Sequence, residues 1–341
     1  MAAAGTYQRE RDEPLRTLAR RIGFYILAAV IAITINFFIP RLMPGNALSA
    51  VLGKLRGTQV TPATINAIEQ QYGLSGSGSA WSQYIKYWDN LLHGNLGVST
   101  SLFPAHVTTV IGTGLYWTIG LVGTATVISF VLGTLLGILA AWRRGSWIDN
   151  LLPALTFFQA APYFFIAILL VAWLATGLHW FPAIGTYDQI NYTAGLNWAF
   201  ISNVLDHAIL PALTIVLASA AGWVVGMRNV MVTTMDEDYV LVARAKGLPK
   251  HRVVTYAARN AILPSVAGFS LAIGFVVSGA LLTEIVFSYQ GLGYILQQAV
   301  EERDYPLLQG VFLVITFAVL GANLIADFAY VLLDPRTRQE G

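Results

Sequence analysis

Residue types that perform enzyme or metal chemistry are few in this chain and lie far apart. The sequence has no cysteine, which excludes disulfides, thiolate metal sites and a cysteine nucleophile. Five histidines occur without the close spacing of a metal motif: His93, His106, His179, His207 and His251. No Ser/His/Asp arrangement and no pair of carboxylates in an apolar segment indicates catalysis. We therefore predict that the chain is not an enzyme and holds no metal or other cofactor.

A phosphate-binding loop is also missing from the sequence. The pattern G-x-x-x-x-G-K-[ST] does not occur, and Gly53-Lys54 lacks the upstream glycine. Energy for any work by this chain must therefore come from a partner. The formal net charge of +2 gives no indication of a nucleic-acid partner, and none is expected.

Polar residues inside long apolar segments are the remaining candidates for chemistry. A carboxylate there is costly unless it is paired or hydrated, so Glu284 either makes a structural hydrogen bond, acts in a gate, or lines a passage. Gln159, beside Pro162, either lines a passage or makes a polar contact between helices. Asn323 and Asp327 lie one helical turn apart, and a helix–helix contact is the favoured interpretation. Asn323 is the third candidate, with Gln159 and Glu284, for a pathway or gate.

The composition indicates the environment of these segments. Hydrophobic residues make up 56% of the chain and charged residues 11%, and the mean hydropathy is +0.61. Soluble domains carry about 25% charged residues, so too little charge is present to cover a water-facing surface. The sequence therefore predicts a membrane protein.

The apolar residues form blocks of the length that a membrane helix requires, about 20 residues. Six segments qualify: Ile22–Ile39, Tyr116–Trp142, Leu151–Thr176, Ala208–Met227, Ser265–Phe287 and Leu307–Leu333. Pro153 and Pro162 interrupt the third segment and predict a kink at its inner end. The predicted fold is an all-α polytopic membrane protein with six transmembrane helices.

Arginine and lysine are distributed unevenly between the connections. They are frequent in residues 1–20, after the second and fourth segments, and in the C-terminal tail, whereas residues 177–207 contain none. Under the positive-inside rule both termini are cytoplasmic. We predict a cytoplasmic tail over residues 1–20 and a transmembrane domain over 21–341, with a large extracytoplasmic loop at 42–113 and a cytoplasmic loop at 228–264.

The cytoplasmic loop contains the most informative pattern, between Asp236 and Pro264. It reads as two consecutive helices, the first capped by Asp236 and ended by Gly247 in a left-handed conformation. Leu248-Pro249 then starts a second helix that is predicted to run to about Asn260. Such an element is either a rigid knob suited to docking in a groove of another protein or a solvated basic connector.

The run DYVLVARAKGLPKHRVVTYAARNAILP in this loop resembles the coupling motif of binding-protein-dependent ABC importer permeases, in particular the dipeptide/oligopeptide permease family. Further matching blocks are GNLG, LAAWRRGSWID, HAILPALT, GLGYILQQAVEERDYPLLQG and LLDPRTR. The family typically has a glutamate where Glu284 stands, before a Gly-Leu-Gly stretch. This chain departs from the motif where Val242, in place of glutamate, precedes Ala243.

The resemblance implies a type I ABC importer permease fold in the inner membrane, with the loop seated in a cleft of a cytoplasmic ATPase. Gly247 and the small Ala243 and Ala245 would permit close approach, and Arg244 and Lys246 would pair with acidic groups. The expected contact residues are Ala243, Arg244, Ala245, Lys246, Gly247, Leu248 and Pro249. Expected partners are membrane lipid, a second homologous permease, two ATP-binding subunits that hold ATP and magnesium, and an extracytoplasmic solute-binding protein.

The transported solute stays open at the level of sequence. The family implies di- or oligopeptides first and oligosaccharides as an alternative. Nickel is implied less readily, because the predicted spans contain no histidine and the binding protein would confer that selectivity. An ion-driven secondary transporter would require buried acidic relay residues or broken helices in an inverted repeat, and neither is evident. An intramembrane enzyme is disfavoured by the missing catalytic constellation.

Overall fold

The computed structural model describes residues 3–42, 79–274, 276 and 280–333, and the regular elements within these ranges are helices. Residues 43–78 of the predicted outer loop and the arginines predicted for the C-terminal tail lie outside the described residues.

We number the helices of the described residues in chain order. They are α1 (Ala3–Leu42), α2 (Ala80–Leu92), α3 (Val107–Trp142), α4 (Trp147–Asn150), α5 (Leu152–Ala160), α6 (Tyr163–Gly177), α7 (Trp198–Thr234), α8 (Asp238–Ala245), α9 (Lys250–Gly274), α10 (Leu281–Val286), α11 (Leu292–Glu301) and α12 (Tyr305–Leu333). Two of them include a π-helical stretch, Ile119–Gly123 in α3 and Val171–Gly177 in α6.

Four helices among the described residues are long and apolar enough to cross a membrane: Arg20–Ile39 of α1, α3, α7 and Tyr305–Ile325 of α12. A bent pair, Trp147–Ala160 with Tyr163–Gly177, makes a fifth if it is counted as one span. The predicted segment Ser265–Phe287 does not form one continuous helix in the described residues, because α9 ends at Gly274 and α10 begins at Leu281.

Two predicted helix starts were too late. Helix α3 begins at Val107 and not at Tyr116, and α7 begins at Trp198 and not at Ala208. The Asn197 side chain caps α7 by accepting a hydrogen bond from the Phe200 N–H at 2.8 Å. Hydropathy marks only the most apolar part of a helix, whereas the backbone ladder continues through less apolar residues until a cap ends it.

The predicted kink in the third segment is present and is sharp. Helices α5 and α6 meet at 101°. Ala161 and Pro162 are both extended, with ψ of 132° and 139°. A proline disfavours the helical conformation of the residue before it, so the chain turns at Ala161. Pro153 lies in the first turn of α5, where the missing N–H costs nothing, and it causes no kink.

The described chain divides into two compact units. One contains residues up to 115 together with those from 295 onward, and the other contains Tyr116–Tyr294. In the second unit α3 packs closely on α7 through Gly133 and Gly137. A Cβ added at Gly137 would lie 2.7 Å from the Val224 carbonyl oxygen, so only glycine allows this approach.

The first unit joins α1 to α12 through polar side chains. Tyr25 Oη donates to Asp327 Oδ2 at 2.8 Å, and Asn36 Nδ2 donates to the Gln309 carbonyl oxygen at 2.8 Å. The helix–helix interpretation of Asp327 is thereby confirmed. The buried Asp304 accepts from the Ser101 hydroxyl at 2.7 Å and caps α12 at the Leu307 N–H. These bonds satisfy polar groups inside an apolar unit.

Candidate functional site

The predicted helix–glycine–helix element is formed by α8, Gly247 and α9. Gly247 has φ of +74°, in the left-handed region that glycine tolerates best. The Leu248 N–H donates to the Ala243 carbonyl oxygen at 3.3 Å, which closes the end of α8 in the manner of a Schellman motif. Helix α9 then begins at Lys250, directly after Pro249. The local turn chemistry therefore produces the two helices as the sequence predicted.

Two details of this prediction were wrong. The N-cap of α8 is Glu237 and not Asp236, and no side-chain cap bond is made there. Helix α9 does not end near Asn260 but continues through Pro264 to Gly274. Asp236 lies instead beside Arg144, which follows α3. Arg144 Nη2 is 3.6 Å from Asp236 Oδ2, so this carboxylate forms an ion pair and does not cap α8.

Helix α8 is anchored to its own chain by its apolar face. Val240 is fully buried and packs in a cluster with Met227, Met231 and residues of α9. Ala243, one helical turn further on, is 7% exposed. The small Ala243 side chain therefore permits close packing within the chain, since its surface is already covered. The cluster holds α8 as a rigid projection, because close-packed side chains leave little room for rocking.

The other predicted contact residues lie at the surface of this projection. Arg244, Ala245, Lys246, Gly247 and Pro249 are exposed, and Leu248 is half-buried. Arg244 Nη2 donates to the Met235 carbonyl oxygen at 3.4 Å. A Cβ placed on Gly247 would meet no described atom within 4 Å, so the space beside this residue is open.

Three apolar residues of α8 that the sequence reasoning did not single out are also exposed. Tyr239, Leu241 and Val242 are 37%, 48% and 51% exposed. Exposed apolar groups grouped on a projection are typical of interaction surfaces. The sequence does contain a signal for them. They are apolar residues directly after Asp236, Glu237 and Asp238, in a segment too polar to span a membrane, so lipid does not account for them.

A cavity of about 470 Å³ lies in the second unit between α3, α5, α6 and α7 and the end of α9. The described residues of its wall include no charged side chain and are mostly apolar, with Thr126, Gln159, Tyr163, Ser219 and Trp223 supplying polar or aromatic groups. Gln159 is placed there because it stands at the bend after α5. Gly222 faces it, and a Cβ on Gly222 would lie 3.5 Å from Gln159 Nε2. The wall can therefore contact a ligand with neutral donors, acceptors and aromatic faces.

Glu284 and Asn323 do not line this cavity. Glu284 is fully buried on α10, and its Oε2 accepts from the Gly293 N–H at 2.6 Å. A Cβ on Gly291 would collide with the Glu284 carboxyl group, so glycine is required beside it. Asn323 is half-buried on α12 in the other unit. Within the described ranges, no three histidine, aspartate or glutamate residues come together as metal ligands.

Comparison with known proteins identifies the family of the chain. Residues 133–339 match the family model of the binding-protein-dependent transport system inner membrane component. A Brucella suis biovar 1 (strain 1330) protein that is provisionally named a peptide permease is 34% identical over 315 residues, covering 92% of this chain and 96% of the relative. The di/tripeptide transport system permease protein DppB of Pseudomonas aeruginosa (strain UCBPP-PA14) is 32% identical, covering 96% and 99%. The dipeptide transport system permease protein DppB of Escherichia coli K12 is 30% identical, with the same coverage.

Proposed function

The chain belongs to the family of binding-protein-dependent transport system inner membrane components, and on this basis we propose that it is a permease subunit of an ATP-driven importer of di- and oligopeptides. Its membrane helices form half of a translocation pathway, a second homologous permease forms the other half, and an extracytoplasmic binding protein delivers the solute. Two ATP-binding subunits hold ATP and magnesium, and this chain performs no catalysis.

The observation that carries the proposal is the rigid projection formed by α8, Gly247 and the start of α9. Its inner face is anchored by Val240 and Ala243, while Tyr239, Leu241 and Val242 remain uncovered. The neighbouring Arg244 and Lys246 add positive charge to the exposed side. An apolar patch with a basic rim suits a cleft of an ATPase that presents apolar and acidic groups. Movement of that cleft on ATP binding then drives the permease between its inward-facing and outward-facing states.

The cavity beside Gln159 and Trp223 supports a pathway for a neutral or zwitterionic solute of peptide size. Cavities that hold small ligands have volumes of about 300–1,000 Å³, and this one has about 470 Å³. The described wall residues offer no charged group to pair with the amino or carboxylate end of a peptide, so the cavity itself supplies little charge-based selectivity. Selectivity then resides in the binding protein, and the names of the relatives favour peptides as the solute.

The orientation proposed is six spans with both termini in the cytoplasm. The bent pair of α5 and α6 supplies the third span, and the segment Ser265–Phe287, which contains the end of α9 and α10, supplies the fifth. The support is the distribution of arginine and lysine, which are absent from residues 177–207 and frequent in the loop that contains α8.

Replacing Gly247 by arginine tests the proposal. A side chain at φ of +74° costs about 1–2 kcal/mol of conformational energy, and the added bulk fills the space in which the ATPase docks. Membrane insertion should be normal, whereas peptide uptake and ATP hydrolysis stimulated by the loaded binding protein should both fall at least tenfold. The assay is the purified importer in liposomes, with membrane levels of each variant quantified.

Lys250→Ala is the matched control, because it removes an exposed charge three residues away without changing the turn. We expect uptake within about twofold of the unmodified importer, since isolated exposed charges contribute little. Full uptake by a normally inserted Gly247→Arg variant would contradict the docking role and leave the loop as a basic connector.

A further inference from the structure

Two arginines connect the segment between α3 and α5 to the last turns of α7. We call residues 143–150 the turn segment. Asp149 Oδ1 accepts from Arg228 Nε at 3.1 Å, across 79 positions of sequence. Asp149 Oδ2 accepts from the Gly145 N–H at 2.9 Å. The carboxylate thus ties the turn segment to itself and to α7 at the same time.

A second tie lies one helical turn further along α7. Arg144 Nη2 donates to the Val232 carbonyl oxygen at 2.8 Å and lies 3.6 Å from Asp236 Oδ2. Arg228 and Val232 of α7 are therefore both hydrogen-bonded to the turn segment. Helix α8 begins at Asp238, six residues after Val232. The turn segment is therefore attached to the stretch of α7 that leads into the projection.

The Asp149–Arg228 ion pair is less exposed to solvent than the Arg144–Asp236 pair. The side chains of Asp149 and Arg228 are 12% and 27% exposed, whereas those of Arg144 and Asp236 are 45% and 69% exposed. The Gly145 N–H, followed by the Arg228 guanidinium, holds the pKa of Asp149 below its usual range. Exposed pairs contribute little to the free energy of a state, so the Asp149–Arg228 pair dominates the connection.

The turn segment also leads directly to the cavity. Helix α5 begins at Leu152, just after Asp149, and ends at the bend where Gln159 lines the cavity wall. The chain from α8 through α7 and the turn segment to α5 is thus a continuous series of covalent and ion-pair connections. Coupling between distant sites is carried by such contiguous, rigid elements.

We propose that Asp149 and Arg228 are positioning residues of energy coupling, whose ion pair makes the turn segment and the end of α7 move as one body, so that displacement of α8 moves α5 and Gln159. This inference rests on the proposed function. A purely structural ion pair would affect folding and membrane level alone. A coupling pair also sets how many ATP molecules are hydrolysed for each solute imported.

The test measures uptake of a radiolabelled alanine dipeptide and ATP hydrolysis together, in liposomes that contain the complete importer. Asp149→Asn and Arg228→Gln should each raise the ATP hydrolysed per dipeptide by roughly fivefold, the lower end of coupling between allosteric sites. The double variant should be no worse than either single one, because both remove the same pair. Arg228→Lys keeps a cation and should restore most of the ratio. Asp188→Asn, an aspartate bonded to Asn191 in the same unit, is the control and should leave the ratio unchanged.

A spectroscopic measurement makes the outcome independent of transport. Cysteines at the exposed Asn150 and Thr233 carry spin labels, and the chain has no other cysteine. The distance distribution should be narrow and equal with and without ATP, and Asp149→Asn should broaden it. Unchanged distances and an unchanged ATP ratio in Asp149→Asn would overturn the inference, as would a parallel loss of uptake and ATP hydrolysis explained by membrane level. Uptake that needs no ATP in the unmodified importer would instead refute the proposed function. The distance measurement would still show whether the turn segment and the end of α7 move as one body.

Discussion

The close contact of α3 with α7 offers a perturbation whose size follows from the structure. In Gly137→Ala the new Cβ would lie 2.7 Å from the Val224 carbonyl oxygen, 2.8 Å from Met227 Cβ and 3.1 Å from the Arg228 nitrogen. Contacts between heavy atoms become favourable only at about 3.5 Å, so the two helices must separate by roughly 0.8 Å. Two of the three neighbours are backbone atoms, which a rotamer change cannot move away.

The expected cost is that of overpacking, about 1–3 kcal/mol of the free energy of unfolding. The gain in backbone entropy when alanine replaces glycine in a helix offsets about 0.5–1 kcal/mol of it. We therefore expect Gly137→Ala to destabilise the chain by about 1–2 kcal/mol. Gly226→Ala on α7 is the matched control, because its Cβ would meet nothing within 4 Å; this variant should gain about 0.5–1 kcal/mol.

The assay is unfolding in detergent micelles by titration with a denaturing detergent, followed by circular dichroism. Both variants make the same chemical change in a helix of the same unit, so the difference between them isolates the contact. If Gly137→Ala proved as stable as Gly226→Ala, the close approach of α3 and α7 would be refuted, and with it the packing that supports Arg228.

Two further predictions concern the orientation and the turn segment. Single cysteines at the exposed Leu196 and Asn150 should react with an impermeant maleimide from opposite sides of the membrane, and reaction from the same side would contradict the proposed six-span orientation. The lowered pKa of Asp149 predicts that its stabilising contribution is complete above its unfolded pKa of about 3.9 and is lost as the pH falls through the lower folded value. The difference in unfolding between the unmodified chain and Asp149→Asn should therefore stay constant from about pH 8 to 5 and shrink only below about pH 4, and a difference that disappears between pH 7 and 5 would contradict this assignment.

Local features of the fold were predictable from sequence because their causes are local. Gly247 ends a short helix, Pro249 starts the next, and Pro162 bends the third apolar segment; each effect depends on the backbone freedom of one or two residues. The blocks of apolar residues likewise predicted membrane helices, since a backbone in lipid must satisfy its own hydrogen bonds. Helix ends were less accurate, because hydropathy changes gradually whereas a cap acts at one residue.

The parts of the candidate site that depend on distant residues were decided only by the tertiary structure. Sequence alone grouped Ala243 with Arg244 to Pro249 as contact residues, and the fold adds that Ala243 is 7% exposed whereas its neighbours Val242 and Arg244 are exposed. Three residues proposed for a pathway were placed differently: Gln159 in the cavity wall, Glu284 buried beside Gly293, and Asn323 in the other unit.

The pairing of Asp149 with Arg228 shows the physical reason most clearly. An aspartate in a turn and an arginine near a helix end are each ordinary signs of a cytoplasmic connection, and neither residue type indicates its partner. The pair forms because Gly133 and Gly137 let α3 approach α7 closely enough to bring the turn segment beside Arg228. Composition and turn chemistry by themselves determined a helical membrane protein with a helix–glycine–helix loop. The contacts that link this loop to the cavity arose only when the helices packed, because side-chain pairing across 79 residues depends on three-dimensional distance and not on local sequence.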